Sequence, residues 1–334
     1  MGISFDLTFI WAGIIAFAVF AYVAMDGFDL GIGILFPALT KGDDRNSAMN
    51  SIAPVWDGNE TWLILGGGGL LAAFPLAYAV IMPAVYVPVI LMLLGLVFRG
   101  VAFEFRARTS RPWLWDAAFF GGSFVAAFAQ GVILGAILQG IVVTGRGYGG
   151  GWWDWLSPFT CLTGAAVVTG YALLGACWLI WRAEGDLQAR AYRLAWLAGI
   201  GTIIAVVAVS AATPFLKTTY YHRWLTAPGI YYAAPVPILA GITGLLFFGA
   251  IARKAELMPF LLTLALFALS YVGLAISMFP YLVPGQITIY QAAAPASSQI
   301  FMLVGVAIMV PIILAYTGYA YWLFRGKVGH EGYH

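Results

Sequence analysis

A handful of ionisable residues interrupt otherwise apolar stretches, and their types and spacing suit the handling of protons. Asp26 and Asp29 lie in Met25-Asp26-Gly27-Phe28-Asp29-Leu30-Gly31-Ile32-Gly33. Asp57, Asn59 and Glu60 lie in Trp56-Asp57-Gly58-Asn59-Glu60-Thr61-Trp62. Arg99 and Glu104 lie in Phe98-Arg99-Gly100-Val101-Ala102-Phe103-Glu104-Phe105-Arg106. A charge in hydrocarbon costs at least ~2.5–3.5 kcal/mol on insertion scales, so such groups mark places with a role. On a helix, Asp26 and Asp29 share a face, as do Asp57 and Glu60, because residues three apart are neighbours. Carboxylates so placed can relay protons, with Asn59 as a polar link. They can also form an ion-paired network that ties helices together. For Asp57 both readings stand open. For Asp26 and Asp29 the structural role is favoured, and Glu104 beside Arg106 and Arg108 reads as an interface salt bridge. The expected outcome is a compact acidic cluster with Arg99 as partial counter-ion. Asp116 and Asp154 read as helix-start residues and receive no role.

The elements that must position these groups are membrane helices. Of 334 residues, 62% are hydrophobic and 9% charged, against roughly 45–50% and about 25% in a soluble domain. Mean hydropathy is +0.91. The chain reads as an all-α integral membrane protein, a single membrane domain over 1–334. About nine apolar runs are long enough to cross a core of about 30 Å: 8–36, 51–74, 77–98, 114–143, 157–181, 192–216, 231–251, 258–280 and 297–324. The residues before the first run carry Asp6 and no Lys or Arg, unlike a cleaved signal. A 4+4 pseudo-repeat (8–143 and 157–280) with 297–324 as an additional ninth helix fits the count.

Charge sets the expected orientation. Thirteen of the sixteen Lys and Arg fall in the connections after the odd-numbered runs or, for Arg193, at their edge, which predicts an outward N-terminus and a cytoplasmic C-terminus. At 1.5 Å per residue, Asp26 lies about 27 Å into the first run and Asp57 about 9 Å above the inner surface. Both therefore belong to one depth, toward the cytoplasm. The glycines at 27, 31 and 33 permit close helix approach. The connections are short, and the Gly-rich stretch 145–151 reads as a flexible outward turn.

Several function classes drop out. Sixteen basic against fourteen acidic residues leave no surface for nucleic acid. Cys161 and Cys177 would lie about 24 Å apart on one helix and cannot pair. His222, His330 and His334 all lie outside the apolar runs, so a His-ligated haem within this chain is not expected. No metal, flavin, nucleotide or iron–sulfur site is visible, and cofactors for any redox chemistry must come from a partner. The tryptophans at 113, 115, 152, 153, 155 and 181 read as interfacial belts, and single methionines as core packing. A proton-coupled secondary transporter is the competing reading. Against it, the acids sit at one depth in one half, whereas carrier sites lie near the midplane.

The three charged motifs, with Asn50-Ser51-Ile52-Ala53-Pro54-Val55 leading into the Trp56-Asp57-Gly58-Asn59-Glu60-Thr61-Trp62 run, resemble subunit II of the cytochrome bd-type quinol oxidases. Met278-Phe279-Pro280, Ser297-Ser298-Gln299 and Val310-Pro311-Ile312-Ile313-Leu314-Ala315-Tyr316-Thr317 extend the resemblance over essentially the whole chain. The trimmed outward loops resemble the shorter, cyanide-insensitive branch. The resemblance implies two four-helix bundles plus one helix. It also implies a heterodimer with a homologous haem-bearing subunit I, and in many members a small single-helix subunit. Subunit I would carry haem b and haem d, or b only, and oxidise quinol; the complex would reduce O2 to water in the bacterial cytoplasmic membrane and generate a proton gradient. Subunit II would be haem-free, support assembly and contribute to proton and oxygen access. Some members hold a structural quinone in this subunit. Asp57 matches the family's proposed proton-channel carboxylate, and Trp56, Gly58 and Trp62 belong to the same motif.

Overall fold

Hydrocarbon offers no partner for a backbone N–H or C=O, so apolar runs of this length fold as helices that satisfy themselves. The computed structural model describes residues 6–328, leaving His330 and His334 outside the described residues. In chain order the helices are α1 (Leu7–Leu35), α2 (Asp43–Asn50), α3 (Trp56–Ala73), α4 (Pro75–Ala84), α5 (Tyr86–Arg106), α6 (Pro112–Gln139) and α7 (Pro158–Arg182). They continue as α8 (Gly185–Ala212), α9 (Thr218–Leu225), α10 (Gly229–Ala233), α11 (Pro235–Ala252), α12 (Met258–Met278), α13 (Ile289–Ala292) and α14 (Ala296–Leu323). Asp6 caps α1, its carboxylate accepting from the backbone N–H groups of Thr8 and Phe9. Eight of the described helical segments are long and apolar enough to cross a membrane.

The ninth crossing is α3, whose Asp57, Asn59, Glu60 and glycines dilute its apolarity. Its path shows that it spans the bundle beside α1, antiparallel to it. Asn59 reaches Asp29, a Cβ on Gly66 would meet Val19, and one on Gly69 would meet Ile15. Beyond it, the backbone N–H of Ala294 donates to the Ala73 carbonyl.

The third expected run, 77–98, is corrected by the structure. It joins the short α4 to the front of α5, which begins only at Tyr86 and continues to Arg106. Val85 breaks the helix at φ −121°, ψ 19°, and Pro88 then sits in the first turn of α5, where its missing N–H costs nothing. The shift carries Arg99 from the helix end into the helix interior, where it is fully buried. It therefore leaves the set of loop cations.

The connections are more structured than their composition suggests. The Gly-rich turn is a hairpin of β1 (Val143–Thr144) and β2 (Gly147–Tyr148). The segment after α12 forms a second hairpin, β3 (Tyr281–Val283) with β4 (Ile287–Thr288), and then α13. Arg45 in α2, Arg106 and Arg182 at the finish of α5 and α7, and Arg190 near the start of α8 mark one end of the bundle, the arginine-rich end.

Packing centres on α1, which lies against α3, α6 and α7. α5 pairs with α6, α7 with α8 and α12, and α11 with α12. The α1–α7 crossing needs glycine on both helices: a Cβ on Gly31 would stand 1.8 Å from the Tyr171 carbonyl oxygen, and one on Gly175 would stand 2.5 Å from the Gly31 carbonyl carbon. Such backbone contact is the membrane mode of helix association. Phe28 then stacks on Trp178 at 4.2 Å.

Candidate functional site

Three helices bring five of the singled-out residues together. α1 supplies Asp26 and Asp29, α3 supplies Asn59 and Glu60, and α5 supplies Arg99. Arg99 is the centre. Its Nη1 donates to Asp26 Oδ1 at 2.5 Å and its Nη2 to Glu60 Oε2 at 2.9 Å. The side chains of Arg99 and Asp26 are wholly inaccessible, whereas Glu60 keeps 30% of its side-chain surface. The line Asp26–Arg99–Glu60 thus joins a sealed carboxylate to one that keeps accessible surface. The guanidinium also lies over the Trp56 ring, 5.7 Å from its centroid, and Trp56 stacks on Phe103 at 4.9 Å. An Arg is suited to this place because its planar fork serves two carboxylates and an aromatic face together.

Asp29 belongs to the cluster through Asn59. Asn59 Nδ2 donates to Asp29 Oδ2 at 2.7 Å and to the Met25 carbonyl at 3.3 Å. Tyr321 of α14 donates to Asn59 Oδ1 at 2.9 Å. Asp26 Oδ2, Asp29 Oδ1 and Arg99 Nε are buried without a hydrogen-bonding partner among the described residues. Two carboxylates, a third nearby and one guanidinium leave the site with more acidic than basic groups. An uncompensated buried carboxylate is expensive when ionised.

The remaining sequence candidates stand elsewhere. Asp57 projects from the exposed side of α3, away from Asp29. Gly58 has open space where a Cβ would be. Trp62 is buried and meets Phe17 edge to face. Glu104 faces Arg108 at 3.9 Å with both side chains mostly exposed, a geometry worth little in stability. Arg106 turns to a separate network at the arginine-rich end.

That network was not legible as a site in the sequence. Asp116, near the start of α6, accepts from Arg106 Nε and Arg45 Nη1, each at 2.5 Å. Arg106 also donates to Asn46 at 2.7 Å and Arg45 to the Leu39 carbonyl at 3.3 Å. Both guanidinium groups lie over the Phe36 ring. Asp116 thereby closes the α1–α3 connection against α5 and α6. A second polar group missed by the sequence reading is Gln130, which donates to Tyr22 at 2.8 Å and accepts from Tyr171 at 2.7 Å.

A family model described as cytochrome bd terminal oxidase subunit II matches residues 7–324. Cytochrome bd-I ubiquinol oxidase subunit 2 of Escherichia coli (strain K12) is 30% identical over 372 aligned residues, with 97% of this chain and 96% of that protein covered. Cytochrome bd ubiquinol oxidase subunit 2 of Bacillus subtilis (strain 168) is 28% identical, with 96% and 97% covered. In fold, the chain is similar to a chain of the bd oxidase from Geobacillus thermodenitrificans, with a TM-score of 0.75, 17% identity, and 95% and 98% coverage.

Proposed function

The chain belongs to the cytochrome bd terminal oxidase subunit II family, and on that premise we propose that it is the haem-free subunit of a quinol:oxygen oxidoreductase and carries protons toward the site of O2 reduction. The observation behind the proton role is that Arg99, itself permanently protonated, gathers an accessible carboxylate, Glu60, and a sealed one, Asp26, at one place. Reduction of O2 to water consumes protons, and hydrocarbon blocks their passage. A carboxyl group within hydrogen-bond reach of its neighbours can take them up and pass them on.

In this reading the arginine-rich end faces the cytoplasm, with the N-terminus outward. Asp57, on the exposed side of α3, would serve a path shared with the neighbouring subunit. The homologous subunit I holds haem b and haem d, or b only, and meets quinol and O2. A small single-helix subunit and a structural quinone would complete the assembly, and the present chain supports that assembly in the bacterial inner membrane. We assign 8–143 and 157–280 to two four-helix bundles, α1/α3/α5/α6 and α7/α8/α11/α12, with 297–324 added; α1 and α6 pack closely against α7, so the two bundles share one core.

The direct test is an optical spectrum of the complex, gently solubilised from its native membrane, before and after dithionite. Haem bands together with a second large polypeptide are expected. A colourless single polypeptide from an intact preparation would overturn the reading.

A further inference from the structure

We propose that Tyr321 is a positioning residue for the acidic cluster: its hydroxyl holds the Asn59 amide in the orientation that presents the NH2 group to Asp29. The inference rests on the proton-path reading above and adds to it a residue outside the three charged motifs.

An amide side chain can present either its oxygen or its NH2 group to a neighbour. Asn59 is buried, with 1% of its surface exposed, and its neighbours decide which. The Asp29 carboxylate and the Met25 carbonyl both accept from Nδ2. The Tyr321 hydroxyl donates to Oδ1. Turning the amide over would set Oδ1 against the Met25 carbonyl and the Asp29 carboxylate, acceptor against acceptor. Removing the Tyr321 hydroxyl would leave Oδ1 without that donor in a buried place, a cost that loosens the orientation.

Tyr321 is also placed where the cluster meets the arginine-rich end. Its ring lines a small cavity with Ser51, Pro54, Trp178 and Arg182. The end of α14 is held there by other bonds: Arg182 donates to the Phe324 carbonyl, the Val328 N–H donates to the Arg182 carbonyl, and Lys327 pairs with Glu256. The edge-to-face contact of the Tyr321 ring with Trp178 needs no hydroxyl. Tyr321→Phe therefore removes the tie to Asn59 and leaves the helix moored.

The test uses the purified complex, with quinol-driven oxygen consumption as the assay. Tyr321→Phe is expected to keep haem content and KM for quinol and to lower kcat about two- to tenfold, the range one hydrogen bond commands. The solvent deuterium isotope effect on kcat is expected to rise. Asn59→Leu should lower kcat at least as far, and adding Tyr321→Phe to it should cause no further fall, because both act through one link. Wild-type kcat and isotope effect in Tyr321→Phe, or additive losses in the double variant, would overturn the inference. Loss of haem would overturn it too, by showing the hydroxyl to be an assembly contact. Asp29→Asn and Glu60→Gln are measured alongside. Full turnover in both removes the proton-path reading and this inference with it, whereas slowed turnover in both with a normal Tyr321→Phe removes this inference alone.

Discussion

Arg99 and Asp26 form an ion pair from which solvent is wholly excluded, with 2.5 Å between Nη1 and Oδ1 and no accessible surface on either side chain. Such a pair gains little net stability over an apolar substitute, yet it cannot tolerate the loss of one member. Arg99→Leu would leave Asp26 buried without a counter-charge and Glu60 without its donor. The expected cost is about 3–5 kcal/mol, read as a lowered thermal midpoint and reduced assembly of the complex. The double variant Asp26→Leu/Arg99→Leu should recover part of that stability while remaining impaired in turnover. A single variant as stable as the wild type would show that the pair is not held as described.

Glu60 is the member of the cluster with accessible surface, and Asp57 stands on the exposed face of the same helix. Glu60→Gln keeps an oxygen for Arg99 to donate to and removes the exchangeable carboxyl proton. We expect turnover to fall about tenfold or more with haem content intact, in line with the loss of a proton-transfer group. Asp57→Asn is likewise expected to slow turnover without haem loss. The comparison of the two separates an approach along α3 into the cluster from one along its outer face. Normal turnover in Glu60→Gln with intact haem would remove Glu60 from the path.

The charged motifs were conspicuous in the sequence because hydrocarbon makes every ionisable residue an exception. Asp26, Asp29, Asn59, Glu60 and Arg99 are thus legible as one group in the sequence. Hydropathy places Arg99 at a helix end, because 77–98 reads as one apolar run and the break at Val85 does not register in it. The division of α3's face between Asp57 and Glu60 was not legible either. Residues three apart are neighbours on a helix, but a neighbouring helix with a narrow edge can bury one and leave the other exposed. Asp116 looked like a capping residue because its partners, Arg45 and Arg106, are distant in sequence. Tyr321 carried no signal, since a tyrosine near the end of an apolar helix is ordinarily an interface residue.

Asp116 offers two acceptor oxygens, one to Arg45 and one to Arg106, at a site with only 10–14% of each side chain exposed. A hydrogen bond to a charged group is worth roughly 1.5–3 kcal/mol. Asp116→Asn keeps the shape and removes the charge, and should destabilise by about 2–3 kcal/mol. The loss is expected in the thermal midpoint of the solubilised protein, together with faster proteolysis in the α1–α3 connection. Asp116→Glu, which restores charge at a longer reach, should recover part of it. An unchanged midpoint in Asp116→Asn would mean that the two arginines find other partners at no cost.

Gly31 and Gly175 leave no room for a methyl group, since a Cβ on either would meet the opposite backbone rather than a movable side chain. Gly31→Ala must therefore push α1 away from α7. Overpacking of this kind costs typically about 1–3 kcal/mol, and more where backbone is the obstacle. The same displacement would shift Asp26 and Asp29 relative to Asn59 and Arg99. Reduced assembly is the expected result for Gly31→Ala and Gly175→Ala alike. Gly67→Ala and Gly68→Ala, where a Cβ meets open space, serve as controls for the fold of this chain.

The connection between α11 and α12 supplies a pH-sensitive tie. Lys327 donates to Glu256 Oε2 at 2.7 Å and Gln188 to Glu256 Oε1 at 3.1 Å. These hydrogen bonds, with the charge of Lys327, hold the Glu256 carboxyl below the usual carboxylate range. A depressed pKa contributes stability that is fully present above the free-glutamate value of about 4.3 and is lost as pH falls through the folded-state value. The segment after α14 should therefore loosen on acidification below that range and remain docked at neutral pH. A spin label at position 328 reads the change as increased mobility. Glu256→Gln should make mobility at neutral pH resemble that of the acidified wild type, and salt should weaken the tie because the pair is exposed. Mobility that stays constant from neutral pH to below the folded-state value would show that the Arg182 contacts with Phe324 and Val328 hold the segment without Glu256.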